Sequence, residues 1–294
     1  MTRFETPHPI SATVEVGIGT VLVAAGDRAE TVVEVLPGDP ARPADVAAAE
    51  ETRVELAAGA LLVKGTRRWR AIGPLPGDGS VDVRIELPAG SRVTGHIGMG
   101  TFRCTGPLGD LKLRSGAGDI HVEEAAAVSL ATGAGDIDLR HAVGDAQLTS
   151  GTGAVRAGRI DGAAAIKSAN GDIRIEETAG ELKARTANGA IAVERSRGTL
   201  TAKTANGAIR LGGVEGGPVV AESGFGPIEI GVPEGVAAWL DLDTRHGRLR
   251  NELDALPPEP DQPTVEVRAG SGFGDITIRR SEAAAGAAGR PATA

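Results

Sequence analysis

The 294-residue sequence has almost no aromatic side chains: no Tyr, four Phe and two Trp. Cores and protein interfaces usually draw on aromatics for buried area and anchoring. Burial must therefore come from Ile, Val, Leu and Ala packed in register. Cysteine is represented only by Cys104, so no internal disulfide can form, which fits a reducing compartment. No run of 18 apolar residues occurs, and residues 1–12 (MTRFETPHPISA) hold no apolar stretch of the kind a signal peptide needs. The expected location is cytoplasmic, without membrane insertion.

Positive charge is also in short supply. The 31 basic residues face 39 acidic ones, a net charge of −8 spread along the chain. Nucleic acid needs a basic face with stacking aromatics, and anionic lipid needs clustered bases, so neither is an expected partner. Arg far outnumbers Lys, which together with the abundant Ala and Gly suggests a high-GC bacterial genome. Catalytic signatures are missing too: no H-E-x-x-H, P-loop, G-x-G-x-x-G or G-x-S-x-G segment occurs. Of histidines 8, 96, 121, 141 and 246, only His121 and His141 fall in neighbouring repeats, and a metal site needs three or four convergent ligands. Polysaccharide lyases built on β-helices line a groove with carboxylates and aromatics, and this chain offers neither aromatic platforms nor a carboxylate column. No enzyme and no cofactor are expected.

What the sequence has is glycine, 43 residues, about twice ordinary usage. The glycines are periodic. Taking the Gly of a recurring G-[DA]-I step as position zero places it at residues 100, 118, 135, 153, 171, 189, 207, 226, 247 and 274. The interval is 17 or 18 residues up to Gly207, then stretches to 19, 21 and 27. Two positions later stand Phe102, Ile120, Ile137, Val155, Ile173, Ile191, Ile209, Ile228, Leu249 and Ile276. Position +4 is again apolar, while +3 is mostly polar or charged (His121, Asp138, Arg156, Arg174). That alternation marks a strand with one buried face. Positions −7 and −5 form a second apolar pair, and −3 is Ser or Thr in nine consecutive repeats from Ser115 to Ser271. Each repeat thus carries two short strands, with Asn-Gly or Gly-x-Gly supplying the positive φ that its turns need.

An antiparallel meander would also use Asn-Gly turns. Like residues recurring at one phase favour parallel stacking at about 4.8 Å, where Ile, Asn and Ser/Thr ladders put like on like. The expected fold is all-β, a parallel β-solenoid or β-helix with coils of near-18 residues over residues 93–280. Residues 1–92 are expected to be a β-rich N-terminal cap or degenerate coils, with Trp69 packing there and 37–47 a proline-rich loop. Near the other end, Trp239 is expected to close the core, 251–264 to form a proline-rich excursion, and 281–294 a disordered tail.

Asp119 and Asp136 follow turn glycines and resemble the Gly-Asp-rich calcium coils of β-roll toxins. Calcium takes six to eight oxygens. Ala154, Ala190 and Ala208 break the carboxylate column, so turn structure is the expected role and a Ca²⁺-stabilised roll the lesser alternative. The Asn170, Asn188, Asn206 ladder and the Ser/Thr column are expected to point inward and hydrogen-bond along the stack rather than to face a sugar. Cys104, at +4, reads as a small buried hydrophobe.

The serial S/T-x-[AN]-G-[DA]-I-x-[VIL] units, from Ser115-Gly-Ala-Gly-Asp-Ile-His-Val to Thr204-Ala-Asn-Gly-Ala-Ile-Arg-Leu, resemble the bacterial DUF4097 β-strand repeat family over about residues 95–280. That resemblance implies a β-solenoid and an adhesin label, with no catalytic residues to carry over. The leading expectation is a scaffold, monomeric or weakly oligomeric, that binds an unidentified protein partner. An adhesin-like surface or glycan-binding protein is the alternative.

Overall fold

The computed structural model describes residues 1–65, 79–253 and 262–281. Each central repeat folds as two short strands, for example Leu182–Asn188 and Ile191–Ser196, and every repeat lies parallel on its neighbours. The chain is a parallel β-solenoid. Phe102, Ile120, Ile137, Val155, Ile173, Ile191, Ile209 and Ile228 stack one on the next, and all are fully buried. Full burial of such a side chain is worth about 1.5–3 kcal/mol. Because each coil touches only its neighbours, stability builds up as a sum of these layer interfaces.

The second strand has one more inward column than the +2 and +4 alternation predicts. Leu108, Ala125, Ala142, Ile160, Thr178, Ser196 and Val214 are buried, at or near position +7. Alanine and hydroxyl residues dilute this column, which hides it in a purely apolar count.

The turn glycines are held by close approach of backbone. At Gly189 φ is 150°, and a Cβ built there would overlap the Gly171 carbonyl of the coil below. Only glycine tolerates both conditions. The inward Ser/Thr column anchors the same turns: Ser150 Oγ donates to the Gly135 carbonyl at 3.1 Å, Thr186 to Gly171 at 3.1 Å and Thr204 to Gly189 at 3.0 Å. Ser168 Oγ is buried in the same column without a partner. Its hydroxyl contributes desolvation cost and no bond, so Ser168→Ala is expected to be neutral or stabilising. Ser150→Ala should cost about 1 kcal/mol. Urea titration of the two variants separates these outcomes.

The ends do not follow chain order. At the N-terminal end, Ser11–Gly26 lies parallel against the start of Arg92–Ala117, with Gly19 opposite Gly100. The layer outside it is built from Ala60–Lys64 and Ser80–Pro88, also parallel. Antiparallel strands Arg53–Ala57 and Glu30–Pro37 cover that layer, and Thr2–Glu5 pairs with Glu30–Pro37. Two parallel layers and an antiparallel cover thus precede the regular coils. The segment read as a loop over 37–47 becomes helical at Pro43, in the helix Pro43–Glu51. Buried Asp45 explains this: its carboxylate accepts the N–H groups of Asp39 at 3.0 Å and Ser80 at 3.1 Å and ties the helix to the sheet. Trp69 lies outside the described residues, as do most of the 251–264 excursion and residues 282–294 of the tail.

At the C-terminal end Gly217–Phe225 pairs with Thr264–Phe273, not with Ala237–His246, the equivalent strand of the next repeat. Ala237–His246 stacks outside Thr264–Phe273, and Leu249–Asn251 stacks outside Ile276–Arg280. The chain runs out to the last layer and returns to fill the one beneath. Trp239, on that last layer, is 55% exposed and does not close the core. Leu240 and Leu242 take the inward positions instead and are only partly buried.

Candidate binding surface

Alternation leaves the solenoid with outward columns whose chemistry is set by register. On the second strand, His121 Nδ1 lies 3.0 Å from Asp138 Oδ2, and Arg156 lies 2.9 Å from Asp136 and 3.4 Å from Asp138. At the corner beyond, His141 Nε2 is 3.0 Å from Asp161, Arg159 is 2.6 Å from the same carboxylate, and Glu177 pairs with Arg197 at 2.9 Å. The two histidines read as a conceivable metal pair each face their own aspartate. Among the described residues, no group of three or more His, Cys, Asp or Glu is placed to hold a metal ion.

The turn carboxylates are engaged across the layers. Asp119 Oδ1 accepts the Asp136 N–H at 2.8 Å, and Asp136 Oδ1 accepts the Ala154 N–H at 2.8 Å. Asp172 accepts Ala190 N–H at 2.9 Å, and Asp275 accepts the N–H of Arg248 at 2.9 Å, which reports the reversed layer order. The Ala154 N–H, followed by the Arg156 guanidinium, holds the Asp136 carboxyl below the usual carboxylate range. Arg159 and then His141 do the same at Asp161. In both cases the folded state binds protons more weakly than the unfolded chain. The stabilisation is complete above the ordinary Asp pKa of about 3.9 and disappears as pH falls through the lower folded values. Melting temperature is therefore expected to stay level between about pH 7 and 5 and to drop below about pH 4. In Asp136→Asn part of that drop should vanish.

Cys104 stacks between Val23 and Val122, and burial pushes its thiol up to about 12. The nucleophilic thiolate is absent at neutral pH. Ellman's reagent should leave the folded protein unlabelled and label it only as fast as it unfolds.

The column just before the turn glycine has the least ordinary chemistry. The expectation of an inward Asn ladder is corrected: Asn170, Asn188 and Asn206 are exposed. Position −3 already fills the interior with Ser/Thr, and −1, two residues on at the corner, is turned out. The amides still bond to each other, Asn188 Nδ2 to Asn170 Oδ1 at 2.8 Å and Asn206 Nδ2 to Asn188 Oδ1 at 2.9 Å. Above Asn206 the column continues in register with Phe225, Phe273 and His246. The two phenyl rings stack at 4.9 Å with 1° between planes, and the His246 ring lies 4.5 Å from Phe273. Phe225 is 57% and Phe273 48% exposed. Sequence reasoning missed these rings, although Ser-Gly-Phe-Gly occurs identically at 223–226 and 271–274.

A parallel solenoid with mutually bonded outward ladders defines the class of this protein. The chain belongs to the Toastrack DUF4097 family, whose model matches residues 47–220, as the serial repeat units imply. The match reaches further toward the N-terminus than the resemblance read from the repeats, and stops short of the reordered C-terminal layers. Among solved structures, a candidate adhesin from Parabacteroides distasonis ATCC 8503 is 12% identical, with 94% of this chain and 95% of that chain covered at a TM-score of 0.35. A candidate lipid-binding protein from the same organism is 13% identical at the same coverage and a TM-score of 0.35. A candidate cell adhesion protein from Clostridium sporogenes ATCC 15579 is 11% identical, with 95% and 98% covered at a TM-score of 0.23. No curated protein matches the chain.

Proposed function

We propose that this protein is a non-enzymatic binding scaffold, a stiff rod that holds a macromolecular partner on its outward columns. The observation that carries this reading is the exposed Phe225–Phe273–His246 stack. A chain with only six Phe and Trp residues, Phe225, Phe273 and Trp239 among them, leaves those three in water. Exposed aromatics placed in register, rather than scattered, mark contact surfaces. Membership of the Toastrack DUF4097 family agrees with a binding role. A protein partner in the cytoplasm is the first form of this reading. No helix among the described residues is long and apolar enough to cross a membrane.

The test is crosslinking and affinity capture from native cells, comparing the wild type with Phe225→Asn/Phe273→Asn. That variant extends the Asn ladder and should keep the melting temperature. The wild type is expected to crosslink to a defined partner that the variant loses. A chain recovered only as monomer, or a partner held equally by the variant, sinks the reading. The adhesin-like alternative draws its support from the outward Asn amides. Cell fractionation decides between the two locations, and protein found wholly in the cytosol removes the adhesin form.

A further inference from the structure

The geometry points to an anionic glycan as the occupant of a trough beside the Asn–Phe–His column, a reading that rests on the scaffold function above. One wall is that column. The other, three residues back along the same strands, is Lys167, Arg185 and Lys203, which lie directly on one another in consecutive coils. The floor between the walls is Ala169, Ala187 and Ala205, then Gly224 and Gly272. The strand rise makes the trough about 10 Å across, and the coil spacing makes it about 24 Å long from Asn170 to His246. A hollow of about 420 Å³ over Gly224, Gly270 and Gly272 deepens its C-terminal end.

The cations are the signal. Like charges in direct register destabilise neighbouring strands. Elsewhere most outward charges are answered in register, with Arg140 on Glu123, Arg195 on Glu177 and Arg210 on Glu229, while Glu176 on Glu194 is a like-charge pair of the opposite sign. Where Arg156 stacks on Arg174, each has a carboxylate of its own. Lys203 pairs with Glu222 at 2.8 Å, but Lys167 and Arg185 have no acidic partner among the described residues, in a chain of net charge −8. An anionic ligand relieves that repulsion.

The opposite wall says which anion. Asn170 spends one acceptor, Asn206 one donor and Asn188 one of each, and the remaining amide hydrogens and lone pairs are free for hydroxyl groups. Those amides recur over three consecutive coils, about 4.8 Å apart, close to the advance of one pyranose along a linear glycan. An extended peptide repeats a given face only about every 7 Å and falls out of step. Nucleic acid fits poorly as well. Phe273 is covered on both faces, by Phe225 and His246, and Phe225 on one, so no run of ring faces is open to successive bases, and a phosphate on every residue would meet Glu222 and Asp243 at the C-terminal end. A glycan with charge on alternate sugars sets its carboxylates in the layers of Lys167 and Lys203, on either side of Arg185, and its uncharged sugars in the layers of Glu222 and Asp243.

The probes are hyaluronan and unsulfated chondroitin oligosaccharides, neutral chitooligosaccharides of matched length, and oligo-dT, titrated into the full chain by calorimetry. Hyaluronan or unsulfated chondroitin is expected to bind, more weakly as salt rises from about 50 to 200 mM. Lys167→Glu/Arg185→Glu should lose at least tenfold in affinity, while Lys112→Glu/Arg114→Glu, on the same sheet face but off the trough, stays within twofold. Melting curves of both variants show that each is folded. Equal affinity for neutral sugar, tighter binding of oligo-dT, or an unaffected trough variant overturns the proposal. If no oligosaccharide binds while Phe225→Asn/Phe273→Asn still releases a captured partner, the glycan is wrong and the scaffold stands. If both fail, both readings fall.

Discussion

Ile173→Asp, or equally Ile191→Asp, is expected to abolish folding of the solenoid instead of loosening one coil. Both side chains are fully buried, and each stacks on the other and on one further member of the column. A carboxylate there sits among Ile and Val with no cation within the core. Burying an unpaired charge costs several kcal/mol even after relaxation, and lost apolar burial adds about 2 kcal/mol more. A total stability of about 5–15 kcal/mol leaves little after such a loss. The defect also separates two blocks of coils that depend on each other for their nearest-neighbour terms. Ala192→Asp is the control. Ala192 lies between Ile191 and Val193 on the outward side and should change stability by less than about 0.5 kcal/mol. Far-ultraviolet circular dichroism with urea titration reads the difference. An Ile173→Asp chain with a wild-type midpoint would overturn the inward assignment of position +2.

The central coils were legible because one physical rule governs them. Parallel stacking puts position i of every coil on position i of the next, so Ile173 on Ile191 on Ile209 is written directly in the repeat. The Ser/Thr column was legible for the same reason, and its hydroxyls fall on the turn carbonyls. The orientation of the Asn ladder was not. Period-two alternation holds along a strand and lapses at a corner, and Asn188 is the last residue of its strand. The +7 column escaped because Ala142, Thr178 and Ser196 carry no hydrophobic signal, although their spacing is as regular as any. The trough combines residues from columns −4, −2 and −1, and its meaning lies in which cations lack partners, which no single repeat reveals. Layer order is a property of coils two or three repeats apart. Only the shared Ser-Gly-Phe-Gly of residues 223–226 and 271–274 marked those two coils as neighbours.

That order yields the second large effect. If coils stacked in chain order, the coil of Gly247 would be interior and the coil of Gly274 terminal. Substituting Leu249 would then be severe and substituting Ile276 mild. The structure inverts both expectations. Ile276 is fully buried, between Ile228 on one side and Leu249 on the other, whereas Leu249 is 52% exposed on the last layer. Ile276→Asp is expected to cost several kcal/mol and to unfold the C-terminal coils or the whole chain, by the same unpaired-charge argument as Ile173→Asp. Leu249→Asp places its carboxylate at the rim, where water reaches it, and should cost less than about 1 kcal/mol. Urea midpoints of the two variants give the ranking directly, and hydrogen exchange adds a local reading. Amides of Thr264–Phe273, paired on both sides, should be protected longer than those of Ala237–His246, which among the described residues are paired on one side only. A greater loss in Leu249→Asp than in Ile276→Asp would restore stacking in chain order. It would also remove Phe225 from Phe273, and with that contact the aromatic part of the proposed binding wall.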